Sequence, residues 1–476
     1  MNEKQMKLLV GIVNYGTAND HYLERVLSDL RSISIDKDIV LFCDRPKDFG
    51  SDVEVRIGVP DEGPLYMPLL PRRLFAEKAG QYDVYIGLED DTPIEERHVR
   101  AFVEASNQCD EKTMPGFLRW EHWPDGSVHI DTVHRNFSWD PFSPTRFGDW
   151  VFAELTNLQA AVLMFTQKHL DCAMASPHFC DIFSPTRVFQ LIERASTQLF
   201  EECGLRRVIP VSHIDDFLFP HLANRFHKQR IGLRRALFDA QIKALIETAD
   251  GKKTPQKLLE PFTALASPTW DKNFDETEEE VFLEPSDGAA REMLWLGASG
   301  SDAEHALVKS GHNVTGIPLD SIVSASAESI GVKVTSASWS EAKKELHEKS
   351  FDVICVAHML ERLEDPVGLL EWLDRCLTDG GSIVATVPNF DCWWNYPDTS
   401  KSMKSQTGFE SPWTYNQTGL HFTTPRLVRD WFRDAGFDAS IELRLTDGCK
   451  RYHWMTLGLA KKQFSREMVI RATSRR

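Results

Sequence analysis

The sequence predicts two α/β domains in tandem, each built on a largely parallel sheet. Three observations lead there. At 476 residues the chain is too long for one ordinary hydrophobic core. Short apolar runs alternate with helical patterns in both halves, and a polar stretch ending in the acidic run Asp275–Glu280 separates them. With 42% hydrophobic and 26% charged residues the composition is globular, which argues against wholesale disorder.

In the first half, residues 7–13 (KLLVGIV) read as a buried strand, Asn14–Thr17 as a turn and Tyr22–Leu30 as a helix. Asp38–Phe42 makes a strand ending on Cys43 and Asp44, and Tyr82–Leu88 another ending on Glu89, Asp90 and Asp91. Later strands are expected at Ala160–Phe165 and Val208–Val211, with a helix over Gly232–Thr248. Ligands of such sheets bind at the carboxyl ends of the strands, so Asn14, Asp44 and the acidic triplet are expected on one edge.

The second half repeats the pattern. Met293–Leu296 is a strand, Gly297–Ser301 a small-residue turn, Ala303–Lys309 a helix and Val314–Leu319 the next strand. Phe351–Leu360, a helix to Leu377, Gly380, Gly381 and the strand Ser382–Asn389 follow, with Ile441–Leu445 and Trp454–Ala460 expected as a terminal hairpin. The expected organisation is a first domain over 1–230, a helix and linker over 231–277, a second domain over 278–463 and a basic tail over 464–476.

A net charge of −17, with no Lys/Arg stripe interleaved with aromatics, argues against a nucleic-acid partner. Basic residues gather only at the end: Lys461, Lys462, Arg466, Arg471, Arg475 and Arg476 read as a frayed terminus or a weak contact with an anionic membrane. Nine cysteines without a CxxC pair give neither a disulfide framework nor a zinc site, which suits the cytoplasm. The apolar start Leu8–Val13 is too short to span a membrane and lacks the basic flank of a signal peptide, so it reads as a strand.

Glu89, Asp90 and Asp91 at a strand end repel one another unless a cation joins them, and Mg²⁺ or Mn²⁺ held by such carboxylates can stabilise a departing diphosphate. A solvated turn is the plainer alternative. With the first strand and loop and the Asp ending the second strand, the triplet resembles the DxD-like motif of GT-A type glycosyltransferases, over roughly residues 7–228. That resemblance implies Asp91 as the main metal ligand, Glu89 and Asp90 beside it on ribose or metal, and Asn14 and Asp44 near the nucleotide base. It also implies His213 as a further metal ligand and Asp215 or Asp216 as general base, from the stretch Ser212–His221. For these the alternative is a helix cap at Asp215 and a packing role for His221. Arg119–Trp123, Trp139 and Trp150 suit either stacking on a sugar or core packing, and Asn157 and Gln159 could meet sugar hydroxyls.

The second half, from about 278 to 463, resembles the class I S-adenosylmethionine-dependent methyltransferases through its glycine turn, FDVICVAHML, SIVATVPN and HFTTPRLVRDWFRDAGF segments. The resemblance implies a Rossmann-like domain, with Gly297, Gly300 and Asp320 at the cofactor. It also shows departures: Trp295 stands where an acid is usual, Ser299 and Ser301 where glycines are, Pro318 replaces the ribose-binding acid, and no acid stands near Ser336–Trp339. His358 fits beside a methyl acceptor or as a structural histidine.

The function expected first is metal-assisted glycosyl transfer from a nucleotide-diphospho-sugar to a hydroxyl acceptor in surface glycan synthesis, with a methyltransferase-fold domain attached. Methyl transfer to a glycan or small molecule, with the first half as recognition module, is the second reading. A non-enzymatic scaffold with two decayed nucleotide sites is the third.

Overall fold

The computed structural model describes residues 6–133, 137–181, 191–229, 231–259, 279–283, 289–392, 415, 419–445 and 461–476. The chain forms two units, Met1–Lys253 and Thr254–Arg476. The division falls ahead of the boundary expected near 278, because helix Arg235–Ala249 buries Leu237, Phe238, Ile242 and Leu245 in unit 1. The expected strand Trp454–Ala460 lies outside the described residues.

Unit 1 begins with β1 (Lys7–Asn14), β2 (Asp36–Cys43), β3 (Val53–Ile57) and β4 (Val84–Glu89). Short strands follow: β5 (Thr113–Pro115), β6 (Leu118–His122), β7 (Val128–Ile130), β8 (Thr145–Phe147) and β9 (Trp150–Ala153). Then come β10 (Val162–Thr166), β11 (Arg206–Pro210), β12 (Leu218–Pro220) and β13 (Leu233–Arg234). The main sheet has the order β10-β4-β1-β2-β3, parallel except for β10, which runs antiparallel to β4. The chain thus turns back at β1, whose neighbours are β2 and β4, and the crevice at its carboxyl end is the place where such sheets take ligands. Helix Asp20–Ser32 covers the sheet with Leu23, Val26, Leu27 and Leu30. Gly11 in β1 admits helix Leu70–Glu77, since a Cβ there would stand 3.0 Å from that of Pro71. Two four-stranded sheets, β5-β11-β9-β8 and β12-β6-β7-β13, complete the unit.

Unit 2 holds β14 (Glu292–Ala298), β15 (Asn313–Pro318), β16 (Lys333–Val334), β17 (Phe351–Ala357), β18 (Leu377–Pro388), β19 (Phe437–Leu445) and β20 (Ser465–Ser474). They form one seven-stranded sheet in the order β16-β15-β14-β17-β18-β20-β19. All pairs are parallel except those of β20, antiparallel to both neighbours. Side chains alternate between faces. Leu294, Leu296, Ile354, Val356, Ile383 and Ala385 pack one core layer, and Met293, Trp295, Val353, Cys355 and Val384 the other. Trp295 stands where an acid was expected because its ring is 2% exposed and packs on Phe282 at 4.9 Å.

The expected basic tail is corrected. Residues 465–474 are a strand inside the sheet, with Met468, Val469 and Ile470 buried. The basic side chains are engaged there: Lys462 pairs with Asp391 at 2.6 Å, Arg471 donates to the Val281 carbonyl at 3.1 Å and Arg476 pairs with Asp374. Among the described residues no helix is long and apolar enough to cross a membrane.

Candidate functional site

In unit 1 the carboxyl ends of β1, β2 and β4 meet as the alternation of elements dictates. Asn14 and Asn19 donate to the two carboxylate oxygens of Asp90, each at 2.7 Å. Lys47 reaches Asn14, Asp20 and the Gly16 carbonyl, while Asp44 accepts from the Gly16 amide at 2.9 Å and pairs with Arg45. Asn14, Asp44, Glu89, Asp90 and Asp91 therefore lie at one edge.

Asp91 points inward, into a buried charge network. His221 follows β12, which pairs parallel with β6, and its amide extends that pairing to the Trp120 carbonyl at 2.9 Å. This places the ring between two carboxylates: Nε2 is 3.3 Å from Asp91 and Nδ1 is 2.7 Å from Glu121. Burial alone would lower the His221 pKa, but hydrogen bonds to Asp91 and Glu121 outweigh it and raise the value to about 9. Burial likewise acts to raise the pKa of Asp91, and His221 reverses it, holding the carboxylate below its usual range. Arg119 is the second cation, buried 2.9 Å from Asp131 and 3.5 Å from Glu89. Glu121 also accepts from the Phe226 and His227 amides.

The structure departs from expectation at three residues here. His213 is not at the acidic cluster: its ring stacks on Trp150 at 3.9 Å and Nδ1 meets the Ser212 hydroxyl at 2.9 Å. Asp215 pairs with Arg235 at 2.7 Å and Asp216 with Arg97 at 3.5 Å, both at the surface. The short helical turn over Val211–Phe217 holds all three outward while Val211, Ile214 and Phe217 fill the core. His221, for which packing was the alternative reading, takes the place beside Asp91. Sequence reasoning missed Asp131 and took Arg119 and Glu121 only as part of a stretch suited to sugar stacking or core packing, not as charges beside Asp91. A signal existed, for Arg119 and Glu121 are two apart on β6 and so share a face. Asn157 is buried, donating to the Thr132 carbonyl at 3.1 Å and accepting from the Gln159 amide. Trp139 is 1% exposed and packs in the core.

For a divalent ion, Glu121, Asp131 and His221 each offer one ligand atom, all within 4.8 Å of one another. One buried oxygen of Asp131, Oδ1, has no hydrogen-bond partner. The donor set therefore fits a cation that replaces the second ring proton of His221.

In unit 2 Gly297, near the end of β14, and Gly300, in the turn after it, have φ 82° and 78°. A Cβ on Gly300 would lie 2.9 Å from the Ser326 backbone, so the close approach of helix Val323–Ser329 needs this glycine. Ser301 and Glu304 form a capping box that starts helix Asp302–Lys309. The Glu304 carboxylate, fully buried, reaches back to accept from the amides of Ser301 at 2.8 Å and Ser299 at 3.1 Å. Asp320 Oδ1 accepts from the Ile322 and Val323 amides at 2.7 and 2.8 Å. His358, at the end of β17, has φ 48°, a region that residues other than glycine seldom occupy. Its Nε2 is 2.9 Å from Glu467 on β20 and its Nδ1 3.7 Å from Glu361. Burial acts to lower its pKa, and the two carboxylates override that to raise it to about 9.

Residues 290–440 match the sequence model of the family described as a methyltransferase domain. Unit 2 carries a methyltransferase domain. Solved structures similar to the chain include a SAM dependent methyltransferase from Archaeoglobus fulgidus, with 16% identity, a TM-score of 0.32, and coverage of 43% of this chain and 97% of that one. An S-adenosylmethionine dependent methyltransferase from Mesorhizobium loti shows 15% identity, a TM-score of 0.31 and coverage of 42% and 99%. A putative S-adenosylmethionine dependent methyltransferase from Listeria monocytogenes shows 12% identity, a TM-score of 0.31 and coverage of 41% and 97%. No curated protein matches the chain significantly.

The methyltransferase domain keeps the small-residue turn that S-adenosylmethionine would need. Its polar groups are committed elsewhere: Glu304 takes the Ser299 and Ser301 amides and Asp320 caps a helix.

Proposed function

We propose that unit 2 transfers a methyl group from S-adenosylmethionine to a glycan or small-molecule acceptor, with unit 1 as the module that recognises the acceptor. The observation that carries this reading is the match of residues 290–440 to a methyltransferase domain. The glycine turn at the carboxyl end of β14, beside the point where strand order reverses, supports it. A thermal-shift titration with S-adenosylhomocysteine tests it, since a ligand that binds only the folded state raises the melting temperature. A shift that persists in Asp91→Asn is the expected result. Silence up to millimolar ligand would sink the reading.

A second reading, metal-assisted glycosyl transfer by unit 1, is favoured by the convergence of Asn14, Asp44 and Glu89–Asp91 on one sheet edge beside Glu121, Asp131 and His221. The nitrogen ligand favours Mn²⁺ over Mg²⁺, which prefers an all-oxygen set. The donor would be a nucleotide-diphospho-sugar and the acceptor a hydroxyl. Titrating UDP-, GDP-, CMP- and dTDP-sugars with and without Mn²⁺ separates the readings. A Mn²⁺-dependent shift with one donor, absent in His221→Gln, supports transfer by unit 1; no response to any donor removes it.

A further inference from the structure

The segment Gln256–Leu258, near the start of unit 2, occupies the carboxyl edge of the unit 2 sheet. Lys257 forms an antiparallel bridge with Asp320, directly beyond β15. The Leu258 amide donates to the Leu319 carbonyl at 2.9 Å, and the Ser321 amide to the Gln256 carbonyl at 3.0 Å. Leu258, 6% exposed, packs in the core layer that holds Leu294, Leu296 and Ile317.

The Gln256 side chain goes further, across the end of β16. Its Oε1 accepts from the Ser336 hydroxyl at 2.9 Å and the Ala337 amide at 3.2 Å, and its Nε2 donates to Glu341 at 3.0 Å. A primary amide presents an acceptor and a donor on neighbouring atoms, as does the edge of an adenine ring. In sheets of this kind a nucleoside-bearing ligand lies outside the carboxyl ends of the strands next to the point where strand order reverses. Here β14 is that point, and β15 and β16 form one flank of it. The chain fills that flank with its own backbone and amide.

We propose that Gln256–Leu258 is an internal competitor for the nucleoside end of the methyl-donor site, so that donor binding requires the segment to leave. This rests on the methyltransferase reading of unit 2. A ligand that needs a minor conformation has its apparent affinity reduced by the population of that conformation. Loss of the contacts made by the Gln256 amide raises that population, on the order of tenfold or more for three hydrogen bonds, one of them to a carboxylate.

The experiment is calorimetric titration of S-adenosylhomocysteine into the intact chain and its Gln256→Ala variant, with hydrogen–deuterium exchange over residues 254–259 in the wild-type chain. Gln256 is half-buried and in no core cluster, so its truncation leaves the fold in place. The expected result is binding about tenfold tighter or more in the variant, and faster exchange at the Leu258 amide on ligand saturation. Equal or weaker binding by the variant, or slower exchange with ligand, overturns the competitor and leaves the methyltransferase reading intact. Binding by neither protein overturns both.

Discussion

At the scale of single residues, unit 2 carries a buried cation whose charge the fold maintains. His358 is held between Glu361 and Glu467, with its pKa raised to about 9. A folded-state pKa above the unfolded value of about 6.5 stabilises the protein fully below that value, and the contribution is lost as pH rises towards the folded pKa, on the order of 3 kcal/mol here. Urea midpoints for unit 2 should fall between pH 6.5 and 9, and His358→Gln should flatten that dependence; an unchanged slope in the variant would exclude the pairing. Site residues were legible in the sequence where they sit at the end of an apolar strand, as with Asn14, Asp44 and Glu89–Asp91. They were not legible where a non-local pairing sets the geometry: His221 meets Asp91 only because β12 lies beside β6, across about a hundred residues of chain. Glu304 is a different case. The Ser301-x-x-Glu304 spacing of a capping box was present in the sequence, and it ties the carboxylate to the turn amides.

At the scale of elements, the turn after β14 is defined by its backbone. Gly300 combines φ 78° with a Cβ position 2.9 Å from the Ser326 backbone. Gly300→Ala should destabilise unit 2 by more than the ~1 kcal/mol of a glycine effect alone, because both strain and overlap act. Thermal melts of wild type and variant check this, and a loss within a few tenths of a kcal/mol would mean that the turn relaxes freely. The parallel cores of both units were readable because β1, β4, β14 and β17 are apolar runs bounded by turn residues. The terminal hairpin was half readable: β19 covers the expected Ile441–Leu445, whereas in its partner β20 the charged Arg466, Glu467 and Arg471 flank the consecutive apolar residues Met468, Val469 and Ile470. Both faces of this strand are buried, so its apolar residues run consecutively without a period of two, and between flanking charges the segment looked like a tail.

At the scale of the whole chain, β20 joins parts far apart in sequence, pairing with both β18 and β19. A chain ending at residue 460 should leave β18 with an open edge and β19 without its neighbour. Amide protection in unit 2 is expected to collapse in that truncation, while residues of the unit 1 core, all before Lys253, keep theirs. Hydrogen exchange on the truncated chain reads both outcomes, and persistent protection of β18 would show the strand to be dispensable. The same arrangement has a consequence for biosynthesis. The residues of β19 are made before those of β20, and among the described residues β19 pairs with β20 alone. Until β20 has emerged and docked, the unmet backbone groups of β19 are open to other strands. Unit 1 can acquire its native core on the ribosome, whereas the methyltransferase domain must wait for its last strand, a window in which a holdase chaperone would find its substrate.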